Sequence, residues 1–307
     1  MTLPSSGTIS LNQIHVEAGG SSGSTASIND SDIRVLIGKS SGASMSFNEW
    51  YGASREITLP SLTAINGYDN NSDITASGIS GLTAGGTLII PEDFYLWSSS
   101  TGAAALIIDL ASITVQNSGF IVGKGGTGQS AVGGPAISIT ALGVTIINNS
   151  GAYIAGGGGS GAQGRNGGPG SGAGGGGGPV TPRLGQSGLS GNSGLGGGSG
   201  GGAAAVSFAG GLTGGQGGYI LPGSGGAAGN SLSGAGGSGG SAGGNGTHYG
   251  NDGGGPLNGS GGGGGWGAAG GSNGLSGSVG GAGGKGIEAN GNSFTLTNNG
   301  TIYGAQS

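Results

Sequence analysis

Cysteine is absent from the 307 residues, charged side chains make up only 6%, aromatics 5%, and proline occurs 9 times. Without cysteine there is no disulfide framework, thiolate metal site or sulfur nucleophile. With a net charge of −5 and no basic patch, nucleic acid is excluded as a partner. No apolar run approaches the ~20 residues of a membrane span, so no membrane insertion is expected. The opening Met1–Ser6 stretch lacks the basic and apolar regions of a signal peptide. The expectation is therefore synthesis in a cytoplasm, with assembly into a larger particle or lysis carrying the chain outside a cell.

What the chain has is glycine, 88 residues of it. Between residues 156 and 286 it recurs at every third position in separate runs. One holds Gly158, Gly161 and Gly164, and another Gly185, Gly188, Gly191 and Gly194. Later runs hold Gly234, Gly237 and Gly240, then Gly271, Gly274, Gly277 and Gly280. Three residues per turn is the period of a polyproline-II-type helix, so each run would carry its phase glycines along one edge without side chains. A glycine–serine linker has no reason to keep phase, and collagen needs abundant proline in one unbroken frame. A lone helix of this type has no internal hydrogen bonds, so the runs must pack together, with backbone groups bonding between neighbours. Runs of fifteen to eighteen residues would span roughly 45–55 Å. The breaks between runs, at 179–184, 203–209, 219–222, 230–233, 247–252 and 266–269, read as turns.

Elsewhere the pattern changes. Residues 1–54 hold three short helices. Ser10 with Gln13 opens one that ends at Gly19, Asn29 with Asp32 opens one that ends at Gly38, and Ser46 with Glu49 opens one that ends at Gly52. Such short helices are expected to need a surface to dock on, and their apolar residues Ile9, Leu11, Ile14, Ile33, Leu36, Phe47, Trp50 and Tyr51 are the candidate anchor. Residues 55–155 alternate short β-branched runs with Asn and Gly, as strands do. A repeat recurs at Ile113–Gly123, at Val144–Gly156 and at Phe294–Gly304. The first two copies stand about thirty residues apart, a spacing suited to stacked supersecondary units.

The fold class expected is mostly irregular and β: a bundle of polyglycine II helices inserted in a small β-repeat scaffold, with a short α-helical N-terminal module. Its parts are residues 1–54 for the module, 55–155 for a β-rich neck, 156–286 for the bundle, and 287–307 for a β unit that completes the neck. An even number of glycine helices is expected if the bundle leaves near Ala155 and returns near Ile287.

Catalytic and metal signals are weak. Asp69, Asn71 and Asp73 open like a calcium loop, but Ile74 and Ser80 stand where its glycine and bidentate glutamate belong. Glu92 and Asp93 have no carboxylate partner at glycosidase spacing. His15 and His248 read as surface residues with no second ligand. Gly283–Gly286 lacks the Ser or Thr of a phosphate loop. Neither a cofactor nor a metal nor enzymatic activity is expected. The turn aromatics Phe208, Tyr219, Tyr249 and Trp266 either plug bundle ends or serve recognition, since loops on rigid scaffolds carry binding.

Two resemblances follow from these residues. Leu3–Ile14, with Ile33–Gly38 and Ser46–Ser54, resembles an N-terminal module common in tail proteins of tailed bacteriophages. The glycine runs broken by variable turns resemble the receptor-binding adhesin at the tip of T-even phage long tail fibres. The resemblance implies a virion protein at a tail tip or tail fibre, made in the host cytoplasm. Its partners would be a bacterial surface receptor, an outer-membrane protein or a glycan, and other tail proteins met through the N-terminal module. Candidate receptor contacts are Tyr219, Ile220, Leu221, His248, Tyr249, Asn251 and Asp252, then Arg183 and Leu184. Either a monomer or a homotrimer fits. Two rivals remain: a structural tip or decoration protein without receptor contact, and an ice-binding glycine-helix protein, which a thermal hysteresis assay would separate.

Overall fold

The computed structural model describes residues 3–59, 63–65, 68–92, 94–126, 130–161, 179–181, 184–185, 263–272 and 279–307. Its first part is the helical module. Ser10 caps α1 (Leu11–Glu17), its Oγ accepting the Gln13 N–H at 3.2 Å while the Ser10 N–H donates to Gln13 Oε1 at 2.8 Å. Asp30, one residue after the expected Asn29, precedes α2 (Ser31–Val35). Asn29 instead accepts from Arg34 Nη2 at 2.8 Å, and Arg34 also ties down the carbonyls of Ser40 and Ala43. Gly19 and Gly38, at φ 97° and 67°, turn the chain out of the two helices. The third element is a 3-10 turn, Phe47–Trp50, whose Ser46 N–H donates to Glu49 Oε2 at 2.9 Å.

These elements do not wait for a docking surface. Ile9, Ile14, Ile33, Leu36 and Trp50 close with Leu3 and Ala18 into one buried cluster, and Leu11 and Tyr51 pack against it. Trp50 donates its indole N–H to the Ile33 carbonyl at 3.2 Å. Irregular loops supply the rest of the enclosure, which is how so few helical turns bury a core.

The remainder is a three-sided parallel β-solenoid, each coil giving one strand to each face. The first coil holds β1 (Glu56–Thr58), β2 (Thr63–Ile65), β3 (Tyr68–Ser72) and β4 (Ile74–Thr75); β2 is an antiparallel flap on β3. The second holds β5 (Thr87–Ile90), β6 (Phe94–Trp97) and β7 (Leu106–Ile108), and the third β8 (Thr114–Asn117), β9 (Phe120–Val122) and β10 (Ile137–Ile139). In the fourth, β11 (Val144–Asn148) and β12 (Tyr153–Ala155) precede a long excursion that includes the hairpin β13 (Pro179–Thr181) and β14 (Leu184–Gly185). The coil is completed by β15 (Ile287–Glu288), and β16 (Phe294–Asn298) and β17 (Thr301–Tyr303) begin a fifth. The faces are ordered β1-β5-β8-β11-β16, β4-β7-β10-β15 and β2-β3-β6-β9-β12-β17.

Registers stack like residues. Leu88, Val115, Ile146 and Leu296 form one inner column, Leu96, Ile121, Ile154 and Ile302 a second, and Leu106, Ile137 and Ile287 a third. Strand alternation turns these aliphatic residues toward the lumen, where each fully buried one stabilises by about 1.5–3 kcal/mol. The sequence repeats are successive turns of this solenoid. Their shared asparagine is a ladder: Asn117 Nδ2 donates to Asn148 Oδ1 and Asn148 Nδ2 to Asn298 Oδ1, both at 2.9 Å, the first pair 31 residues apart.

Candidate functional site

The corner between the second and third strands of each coil widens along the solenoid. Asp73 alone separates β3 from β4, residues 98–105 separate β6 from β7, residues 123–136 separate β9 from β10, and residues 156–286 separate β12 from β15. All three longer excursions therefore leave the same edge of the prism, one above another.

At that edge five segments, 123–126, 130–136, 156–161, 263–271 and 279–286, pack backbone against backbone in neither helix nor strand. Their hydrogen bonds advance in steps of three residues. Gly123 and Gly126 donate to Ala155 and Gly158; Gly157 and Ser160 donate to Gly134 and Ala131; Gly264 and Gly267 donate to Gly159 and Gly156. Likewise Gly281 and Gly284 donate to Ser160 and Gly157, and Gly133 and Ala136 to Ala282 and Lys285, all at 2.7–3.0 Å. The central segment 156–161 thus presents successive residues to different neighbours and is buried throughout. A Cβ at Gly133, Gly156, Gly157, Gly159, Gly281 or Gly284 would lie under 3.0 Å from a neighbouring backbone atom, so the required glycines do not lie along one edge only, while Ser160 fits within the same layer, its Oγ accepting the Ala131 N–H at 2.6 Å. Of the phase glycines, Gly158 and Gly161 accept from Gly126 and Ser130, Gly271 is buried, and Gly280 abuts the Gly270 backbone. Residues 123–136, expected in the neck, belong to this base.

Trp266 fixes the base to the scaffold. Fully buried, it sits edge-on to Tyr153 at 6.5 Å and Tyr303 at 6.4 Å, while Tyr153 stacks on Phe120 at 5.4 Å and on Tyr303 at 6.4 Å. Tyr95 completes this cluster, and burial pushes its phenol well above the usual range. Of the four turn aromatics, Trp266 is thus internal and unavailable for recognition. Alternation within each strand could have flagged the outward ring column, but its pairing crosses coils and leaves no local signal.

Of the candidate receptor contacts, Tyr219, Ile220, Leu221, His248, Tyr249, Asn251, Asp252 and Arg183 lie outside the described residues, as do Gly164, Gly188, Gly191, Gly194, Gly234, Gly237, Gly240, Gly274 and Gly277. Leu184 and Gly185 form β14, with Leu184 opposite Thr181 and Gly185 opposite Pro179. Among the candidate anchor residues the large side chains face inward, and Phe47 is the one substantially exposed, at 42%.

His15 departs from expectation. It is buried against Gly20, its Nε2 2.8 Å from Ser24 Oγ, because the chain after α1 folds back over the ring. Asp73 is a left-handed corner at φ 51° whose carboxylate accepts the Ser99 N–H at 2.8 Å, a structural use of the calcium-like stretch. Among the described residues no His, Cys, Asp and Glu cluster could hold a metal ion, and no helix is long and apolar enough to cross a membrane. Glu49 is held below the usual carboxylate range by its hydrogen bond to Lys39 and then by the Ser46 N–H.

No curated protein matches the sequence. Among solved structures the chain aligns with the gp37-gp38 adhesin tip complex of the bacteriophage S16 long tail fiber, at 20% identity and a TM-score of 0.45, over 96% of each chain. Residues 55–196, which include the first three solenoid coils, the start of the fourth and the first part of the glycine region, match the family model of the phage tail fibre adhesin Gp38, and this match supports a tail-fibre adhesin.

Proposed function

We infer that the chain recognises a bacterial surface molecule, an outer-membrane protein or a glycan, through turns borne on a bundle of polyglycine II helices, and that it does so without catalysis. The observation that carries this reading is the base formed by segments 123–126, 130–136, 156–161, 263–271 and 279–286, bonded every third residue and with no room for a Cβ at Gly133, Gly156, Gly157, Gly159, Gly281 or Gly284. A three-residue bonding period is that of the polyproline-II family, and a core made of backbone stiffens what it projects. The glycine runs of the sequence keep the same three-residue period, so this reading assigns receptor contact to the breaks between them at 179–184, 219–221 and 247–252. The N-terminal module mounts the protein on other tail proteins. Its apolar residues hold it together, so mounting falls to surface groups such as Phe47.

The test is adsorption of the purified chain to host cells, wild type against Tyr219→Ala/Tyr249→Ala, with circular dichroism matched. Saturable binding that weakens at least ~10-fold in the variant supports the reading, since aromatic anchors dominate such interfaces. Unchanged binding by the variant removes these turns as the site. A chain that binds no host cell supports a purely structural tip protein.

A further inference from the structure

We propose that the helical module and the solenoid are two bodies joined by a hinge at Ser54, and that Arg55 is the latch that holds the hinge closed. Each body has its own core. The buried cluster of the module runs from Leu3 to Trp50, with Ala53 packed against it, whereas that of the solenoid starts at Leu59, with Ile57 packed against it. Among the described residues no apolar side chain belongs to both clusters. The module also closes its own backbone before the boundary, the Leu3 N–H donating to the Ala53 carbonyl at 3.0 Å and the Gly52 N–H to that of Pro4 at 3.1 Å. The solenoid ladder begins at Arg55, whose carbonyl accepts from Thr87 at the head of β5 at 2.7 Å. Only Ser54 lies between.

The bonds across this boundary are polar. Glu17, the last residue of α1, accepts the Arg55 N–H at 3.0 Å and the Ser54 hydroxyl at 3.3 Å. The Arg55 guanidinium donates through Nη1 to the Ala18 carbonyl at 2.9 Å and through Nη2 to the Gly85 carbonyl in the corner before β5. One side chain thus ties a carbonyl of each body. Its seat is cut from both: Gly19 and Gly85 stand at φ 97° and 76°, and a Cβ at the first would lie 1.9 Å from Nη1 and at the second 2.5 Å from Nη2. A rigid planar fork can satisfy two carbonyls at once, which a point charge on a flexible stem cannot. Beside the guanidinium a cleft of about 40 Å³ opens between Asp32 and Val35 of the module and Thr83 and Ala84 of the solenoid. The two bodies therefore meet without the close packing of a core.

Relative motion of two such bodies is the rule unless a large apolar interface opposes it. With the guanidinium seated between Gly19 and Gly85, the module holds one orientation on the first coil. With it unseated, the backbone dihedrals of Ser54 are free to turn and the module swings as a rigid body, the hinge class of motion, while both cores stay intact. For a protein mounted through its module, the reading on which this consequence rests, the latch sets the angle at which the glycine region is held, and its release lets that region tilt.

The lack of cysteine permits a clean test, since Ser44→Cys/Ser150→Cys places one spin label on an exposed loop of the module and one at an exposed turn of the fourth coil. Pulsed electron paramagnetic resonance on the full labelled chain then reads the distance between them with Arg55 in place, in Arg55→Lys and in Arg55→Ala. Lys39→Met is the control, because its cation pairs with Glu49 inside the module. The expected result is a single narrow distance with Arg55 and in the control, loss of that single distance in Arg55→Ala, and an intermediate width in Arg55→Lys, all at matched circular dichroism and Tm. A folded Arg55→Ala chain that keeps the narrow distance overturns the proposal, and so does a broad distribution with Arg55 in place, since nothing is then latched. Equal broadening in Lys39→Met also overturns it, by tracing the effect to lost charge and not to the seat. If Arg55→Ala does not fold, Arg55→Lys decides: broadening supports the latch and an unchanged width overturns it. Neither a receptor nor another tail protein enters the measurement, so it holds or fails separately from the adhesin reading.

Discussion

At the scale of single residues, what distinguishes this chain is how often a position allows one side chain only. Gly157 is such a position: a methyl group there would strike the Lys124 carbonyl, so Gly157→Ala should cost about 1–3 kcal/mol or more in urea unfolding. Gly78, with nothing within 4 Å of its would-be Cβ, should accept alanine within ~0.5 kcal/mol. Asn148 is another, fully buried and bonded on both sides, and Asn148→Ala should cost about 1–3 kcal/mol because it takes the acceptor from the buried amide of Asn117. A smaller effect is expected at Glu49. Its carboxyl is held below the ordinary 4.5 by Lys39, so this stability is present above that pH and is lost as pH falls through the lowered value. NMR titration should return the Glu49 value toward 4.5 in Lys39→Met. The glycine period was legible in the sequence because it is local. The asparagine ladder was visible as a repeat, but its bonding depends on which residues the coils bring into register, and that is tertiary information.

At the scale of elements, short-range rules located the helical module well and its packing poorly. Both capping boxes are in place, at Ser10 with Gln13 and at Ser46 with Glu49, because capping is settled within four residues. That the apolar residues turn inward on one another was not legible, since loops far from the helices complete the enclosure. The excursion at 123–136 shows the same limit. Too short to display a glycine period, it is nevertheless a layer of the base, recruited by bonds from Gly126 to Gly158 and from Gly157 to Gly134. Trp266 is the joint between base and scaffold. Trp266→Ala should cost about 3–5 kcal/mol by emptying the space against Tyr153 and Tyr303, read as a loss of Tm and of near-UV circular dichroism.

At the scale of the whole molecule, one prism edge carries all the excursions between the second and third strands of the coils. The solenoid supplies a rigid post with a hydrocarbon interior, and excursions of increasing length leave its one corner until the last takes up residues 156–286. That division separates stability, which resides in the coils and the backbone-packed base, from recognition, which the account assigns to the turns beyond. Gly264 donates to Gly159 and Gly267 to Gly156, so the segments that flank residues 162–262 run antiparallel as neighbours and a short turn can join them. The most direct measurement is therefore saturable binding to host cells by the full chain and by a chain in which residues 162–262 are replaced with a short Gly-Ser turn. The account predicts that the shortened chain keeps the β-rich circular dichroism and cooperative unfolding of the solenoid and binds no cells. A shortened chain that folds and still binds them would place recognition on the scaffold and contradict it.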